Sequence, residues 1–299
     1  MASRTTTGVS QKAVTARLAF LDYLILVKPF IIALVLIATL SGMYIAAKTL
    51  PETSLIIWTL IGISLSTAGA CTLNNYIDRD IDLVMKRTST RPLPAGGIAP
   101  VKALYMGLAL GLSSTAILWV FVNPVAALLS LAALFIYVVP YTLLTKRKTP
   151  YATFIGGVGG ALPPIIGYAA VRPELDIYAL ALFVVIFAWQ HPHFWSLALK
   201  YRFEYAKAGV RNLPVVKGVD ATKRWITLWA AIMALVSTFP YFLGMAGVLY
   251  LASALAIGLL FLGMAVRFLF SERQVDMSLF FFSLVHLPVI YCMMIVDIL

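Results

Sequence analysis

Nine apolar runs of about twenty residues each, divided by polar joints, leave this chain few ways to fold. A run of that length with almost no charge matches a helix crossing the hydrocarbon core of a bilayer. In lipid each backbone N–H and C=O must be satisfied within the protein, which a helix does by itself. Composition agrees: 62% of the 299 residues are apolar and 12% are charged. A soluble domain carries about a quarter charged residues. The expected spans are 24–46, 54–77, 102–121, 124–145, 151–171, 177–198, 225–244, 247–269 and 278–298. The stretch 225–269 is too long for one helix, and Gly244 and Gly247 mark the turn inside it. The fold class expected is all-α and polytopic. Residues 1–21 read as an N-terminal arm and 22–299 as one transmembrane domain.

Charge fixes the orientation. With the N-terminus in the cytoplasm, 21 of the 23 Lys and Arg lie on that side, and only Lys48 and Arg172 lie on the other. That is a strong positive-inside asymmetry. The net charge of +11 thus gathers on one face, where it suits anionic lipid or an anionic substrate. Nothing points to nucleic acid. The first 21 residues lack an apolar core and a cleavage site, so they do not read as a signal peptide. They are basic, rich in Ser and Thr and free of acids. A bacterial inner membrane is expected, with a mitochondrial inner membrane as the alternative. Cys71 and Cys292 lie in apolar spans without a CxxC pattern and read as small buried residues.

The end of the second span carries Asn74, Asp78 and Asp82, at i, i+4 and i+8. Each step of four residues drifts by only about 40°, so one helix face holds all three. Carboxylates are expensive in a bilayer and usually functional there. Oxygen donors on one face suit a hard divalent cation such as Mg²⁺, which takes one or two carboxylates plus substrate phosphates. The competing reading is a solvated helix end, with Asp82 and Lys86 paired at i, i+4. Asp80 points to the other side and reads as a surface or supporting acid. Lys86, Arg87 and Arg91 follow, and Tyr141 leads into Lys146 and Arg147. These cations read either as a topology signal or as phosphate ligands.

Two further segments stand out. Gly156, Gly157, Gly159 and Gly160 precede Pro163 and Pro164. Small residues let helices approach, and a Pro pair breaks backbone bonds where a neighbour or a cavity can satisfy them. Packing is the simpler reading, and a cavity wall is the other. The second segment runs from Trp189 through His191, Pro192 and His193 to Lys200, Arg202 and Glu204. His193, Lys200 and Glu204 share a face if the helix is continuous. His193 could move a proton or ligate an iron, or pack as a hydrogen bonder. His286 and Asp297 are isolated and read as structural or interfacial. The long joints after spans two and six, near 78–101 and 199–224, hint at a pseudo-repeat whose loops cap one cavity.

Asn74-x-x-x-Asp78-x-x-x-Asp82 resembles the first Asp-rich motif of the UbiA-type intramembrane prenyltransferases. Further strings are similar to the branch of that family that farnesylates protohaem IX, the haem O synthases. They are Lys28-Pro29, Asn75 to Asp82, Arg87-Thr88, Arg91-Pro92-Leu93, Lys146-Arg147-x-Thr149-Pro150, Gly160-Ala161-x-Pro163-Pro164, Pro192-His193-Phe194 and Tyr205 to Gly209 with Leu213-Pro214. The resemblance covers about residues 20–299. It implies nine transmembrane helices around a central cavity and a diphosphate site built from two acidic loops, with Mg²⁺ as cofactor. It implies farnesyl diphosphate and haem B as substrates, and haem O and diphosphate as products. Asn74, Asp78 and Asp82 would hold the metal. Lys86, Arg87, Arg91, Lys146 and Arg147 would meet the diphosphate. Tyr76, Tyr137, Tyr141, Phe154 and Trp189 are expected walls. His193 is expected at the haem, with Lys200 or Arg202 at its propionates. Membrane lipid surrounds the bundle, and haem A synthase or a terminal oxidase is an expected partner. One departure weakens the second acidic motif. The family often has two adjacent acids before the tyrosine, where this chain has Phe203 and Glu204. The alternatives are a related prenyltransferase with a quinone-ring or chlorin acceptor, or a transporter of organic anions.

Overall fold

The computed structural model describes residues 20–299, so most of the expected arm at 1–21 lies outside the described residues. Helix α1 spans 20–27 and α2 spans Pro29–Ala47. Then come α3 (Thr53–Val84), α4 (Pro100–Phe121), α5 (Pro124–Ile136), α6 (Ala152–Gly160), α7 (Pro163–Val171) and α8 (Ile177–Lys200). Two short helices, α9 (Arg202–Lys207) and α10 (Leu213–Val216), precede α11 (Gly218–Val236). The chain ends with α12 (Phe239–Phe242), α13 (Val248–Leu269) and α14 (Met277–Val296). Among the described residues, nine helical segments are long and apolar enough to cross a membrane. This is a multi-pass, all-α membrane protein. Apolar side chains such as Phe30, Leu112 and Phe281 cover its outer surface, as a lipid-facing bundle requires.

Sequence spans and helices differ where polar residues extend or break a helix. The second span was expected to end at 77, but α3 runs on to Val84. Its acids are separated by helix-compatible residues, and no Gly or Pro intervenes before Met85. The seventh span begins earlier than 225, at Gly218, whose φ of 80° ends the preceding turn. Lys223 lies inside that extension because its ammonium donates to the Ser271 carbonyl at 2.7 Å. The expected turn at Gly244 and Gly247 is present: Gly244 adopts φ 69° and Gly247 caps α13.

Two breaks shape the middle of the bundle. After α5 the chain widens into a π-helix over Tyr137–Thr145, with Pro140 inside. Proline cannot donate in the usual ladder, and a wider turn accommodates its ring. The Lys146 N–H therefore bonds to the Tyr141 carbonyl at 2.9 Å, five residues back. The second break is Ala161-Leu162, between α6 and α7. Here the glycines serve close packing. A side chain at Gly167 would collide with the Thr39 carbonyl of α2, and one at Gly42 with the Pro164 carbonyl of α7. The two helices therefore pack backbone to backbone. Cys71 is buried as expected, whereas Cys292 is exposed on the outer surface of α14. Asp297 is structural: its carboxylate accepts from the Tyr250 N–H at 2.7 Å. His286 is buried against Phe261.

Candidate active site

A cavity of about 400 Å³ lies among α2, α3, the π-helix with α5, and α6 to α8. Helices α4, α11, α13 and α14 contribute none of its lining among the described residues. The nine spans thus do not share it equally. Tyr137, Tyr141 and Trp189 are on its wall, as expected, together with His193. Tyr76 and Phe154 are not. Tyr76 packs on Leu26 and Leu93, and Phe154 packs among His191, Trp195 and Trp225. The glycine-rich span packs and lines at once. Gly156, Gly157, Gly159 and Gly160 face the cavity, and Gly159 also lies against the Ala133 carbonyl.

On α3 the lining ends at Cys71, and the polar stripe begins one turn later. Asn74, Asp78 and Asp82 are all buried, Asp78 to 1% exposure. Helical spacing places them on one face. Cations from three separate segments close over that face. Lys146, at the end of the π-helix, pairs with Asp78 Oδ2. Arg91, from the loop after α3, pairs with Asp82 Oδ2 at 2.7 Å and reaches Asn75 Oδ1 at 3.4 Å. Lys28 donates to Asn74 Oδ1 at 3.0 Å. The Asn74 amide in turn donates to Asp78 Oδ2 at 2.8 Å and to Thr142 Oγ1 at 3.2 Å. Burial is the largest influence and opposes the Lys146 charge, but Asp78 together with Tyr141 and Tyr205 outweighs it and raises the Lys146 pKa above the ordinary lysine value.

Arg147 is held differently. It forks onto Asp80 at 2.6 and 2.7 Å and donates to the Ile77 carbonyl at 2.9 Å. The hydrogen bond to Asp80 raises its pKa. Its guanidinium lies 3.8 Å from Asp78 Oδ1. Asp80 therefore acts as the supporting acid, steadying a cation beside the stripe.

The remaining expected residues divide. Glu204 accepts from the backbone N–H of Arg87 at 3.1 Å, so the loops after α3 and α8 do meet. Ile81, Met85, Tyr205 and Val210 pack beneath that contact. Arg87 lies over the Tyr201 ring at 4.9 Å. Among the described residues no ion pair or hydrogen bond ties Lys86, Lys200 or Arg202 to Asn74, Asp78 or Asp82. Lys86 does not take Asp82, which pairs with Arg91. The loop folds back through Thr88, whose hydroxyl donates to the Asp82 carbonyl at 3.0 Å, and this returns Arg91 to the stripe. Arg202 donates to Gln274, and Lys200 is exposed. The shared face of His193 and Glu204 is not one continuous helix, because α8 ends at Lys200 and α9 begins at Arg202.

Lys28 and Thr142 were not among the expected site residues. Lys28 adopts φ 56°, in the left-handed region that non-glycine residues rarely enter. That kink joins α1 to α2 and aims the ammonium at Asn74. A lysine directly before a proline at the mouth of an apolar run was the signal available for it.

The donor chemistry fits a divalent cation. Asp78 Oδ1 is buried and accepts no hydrogen bond. An unsatisfied carboxylate oxygen beside a second buried carboxylate is costly unless a further partner is bound. No three Asp, Glu, His or Cys side chains converge among the described residues. The arrangement suits Mg²⁺, which takes few protein carboxylates and completes its shell from water and substrate phosphates.

A buried acidic stripe under a cationic clasp, at the end of an apolar cavity in a helical membrane bundle, is a place to hold an anionic headgroup whose tail is greasy. Residues 35–287 match the UbiA prenyltransferase family, and the chain belongs to that family. Its particular similarity is to the protoheme IX farnesyltransferases. The Aquifex aeolicus (strain VF5) protein of that name is 48% identical, over 92% of this chain and 94% of its own. The Marinobacter nauticus protein of that name is 41% identical, over 92% of each chain. The fold is similar to a solved digeranylgeranylglyceryl phosphate synthase, with a TM-score of 0.78, 19% identity and coverage of 93% of this chain and 98% of that one. It is also similar to a UbiA homolog from Archaeoglobus fulgidus solved bound to GPP and Mg²⁺. There the TM-score is 0.63 and the identity 18%, over 91% of this chain and 99% of that one.

Proposed function

We propose that the chain transfers the farnesyl group of farnesyl diphosphate to a vinyl group of haem B, giving haem O and diphosphate. The observation that carries this is the buried stripe of Asn74, Asp78 and Asp82, clasped by cations and opening onto an aromatic cavity that holds His193. The acceptor is inferred from the relatives named protoheme IX farnesyltransferase.

Asp78 and Asp82, with Asn74 beside them, would hold Mg²⁺. When bound, it supplies a Lewis acid toward the diphosphate oxygens. The remaining work falls to the chain. Lys146, Arg91 and Lys28 neutralise the diphosphate as the C1–O bond breaks and the electron pair leaves with it. Arg147, fixed by Asp80, adds its fork from the loop side, and Arg87 closes the same loop through Glu204. The allylic cation is then held in a dry cavity lined by the aromatic Tyr137, Tyr141 and Trp189. The vinyl π pair forms the new C–C bond. Water captures the resulting cation beside the porphyrin and loses a proton, leaving a hydroxyl. The membrane is a bacterial inner membrane, with the clasp on the cytoplasmic side. The 21-to-2 split of Lys and Arg supports that orientation. Residues 22–299 act as one domain.

Purified protein given haem B, farnesyl diphosphate and Mg²⁺ should release diphosphate and form haem O, detected by mass. A metal chelator should stop both. Prenylation of an aromatic acid or a chlorin with haem left untouched would assign another acceptor. Anion transport across vesicles without any prenylated product would overturn the enzyme reading.

A further inference from the structure

Two histidines lie two residues apart on α8, and their surroundings separate them. His191 is fully buried, and its Nδ1 meets the Phe187 carbonyl at 2.6 Å. His193 lines the cavity, and its Nδ1 meets the Ser283 hydroxyl of α14 at 2.7 Å. The direction of that second bond follows from Ser283 itself. Its hydroxyl also lies 2.6 Å from the Phe280 carbonyl, which can only accept. The single hydroxyl proton is therefore spent on Phe280, and Ser283 must accept from His193. His193 is thereby held with its proton on Nδ1 and a bare lone pair on Nε2.

The rest of the ring is equally constrained. Trp189 stacks on it with centroids 4.6 Å apart, and Phe280 stacks at 4.7 Å. The Trp189 indole N–H donates to the Ser283 carbonyl at 2.7 Å. Ser283 thus anchors both aromatic partners, through its side chain and its backbone. The ring faces are covered and the Nδ1 edge is tied, so the Nε2 edge is the part left to the cavity. Among the described residues nothing hydrogen-bonds to Nε2. A neutral imidazole whose far nitrogen is fixed by an acceptor is the arrangement that makes a histidine a metal ligand.

We propose that Ser283 is a positioning residue. It locks His193 in the tautomer whose Nε2 meets the iron of the porphyrin acceptor as a lone-pair donor. The inference rests on haem B being that acceptor. It adds a reason for one vinyl group to be presented to the farnesyl cation: an iron tethered to α8 leaves the porphyrin few orientations.

The test is titration of the purified full-length protein with ferrous haem B, and separately with iron-free protoporphyrin IX. Ser283→Ala should weaken haem B binding by roughly 10- to 100-fold, the usual effect of losing such a supporting acceptor. It should also shift the haem absorption bands. Binding of protoporphyrin IX should stay within about 2-fold of wild type, since no iron is there to ligate. Ser283→Thr, which keeps an acceptor hydroxyl, should restore the spectrum. His193→Gln should reproduce the loss, with no further loss in the double variant. An unchanged haem spectrum in Ser283→Ala, or an equal loss for the iron-free ring, overturns the proposal. If the wild-type protein neither binds haem B nor forms haem O, the functional reading fails first and this inference falls with it. If wild type does both and Ser283→Ala matches it, only the role of Ser283 is lost.

Discussion

Helices α3 and α8 both run out of the apolar bundle into a long polar loop, yet they manage charge in opposite ways. At the end of α3 the three residues of the stripe are buried and each is met from another segment: Asp78 by Lys146, Asp82 by Arg91, and Asn74 by Lys28. At the end of α8 the helix stops at Lys200, the cations turn outward, and Glu204 is spent on a backbone N–H of the first loop. A charge out of water acts on a substrate with little screening, whereas an exposed one is masked by solvent and salt. On the proposed reading the difference places the chemistry at the α3 end and a closing role at the α8 end. Under that reading Phe203 in place of an acid still leaves a working site, because the second loop serves as a latch more than as a ligand.

The comparison can be broken most sharply at Asp78. Asp78→Asn should lower kcat/KM for haem O formation by at least about 10³-fold, more than one lost oxyanion contact would cost, because a cation clasp and a metal ligand go together. Near-normal turnover would move the chemistry elsewhere. Lys146→Met should cost about 10²-fold in kcat and also lower thermal stability, since buried Asp78 loses its hydrogen-bonded ion pair and keeps only Arg147, at 3.8 Å. A kinetic loss with unchanged melting would mean that the pair matters only to substrate. Glu204→Ala should raise KM for farnesyl diphosphate by about 10-fold, with a much smaller change in kcat, as expected for a loop closure that loses one charged hydrogen bond. Glu204→Gln, which still accepts from Arg87, should recover most of it. Smallest of all, Lys86→Ala and Lys200→Ala should stay within about 2-fold, the ordinary cost of an exposed charge.

The parts legible in the sequence were those set by local periodicity. Apolar runs gave nine crossings, and the fourfold spacing put Asn74, Asp78 and Asp82 on one face. What could not be read was which cation folds back. Lys86 is the helical neighbour of Asp82, but Thr88 turns the loop and delivers Arg91 instead. That choice is tertiary, and spacing is silent on it. The same limit hid Lys28, which reaches Asn74 only because α1 and α2 meet at a left-handed residue. It also made Glu204 look continuous with His193, since nothing in the pattern announced the break at Tyr201. Paired histidines were an ambiguous signal for a simple reason. Two residues along a helix turn the side chain by about 200°, so at most one could face the cavity.

The widened turn at Tyr137–Thr145 has a consequence of its own. Wider turns of this kind fit one more residue into the same rise than an α-helix does. If the same residues closed as an ordinary α-helix, each residue that the wider turns now absorb would carry Lys146 about 100° further around the axis, away from Asp78. The ammonium is aimed by the width of the turns before it as well as by its own place in the chain. Loss of the widened turn would disarm the proposed clasp while leaving all of its side chains in the sequence.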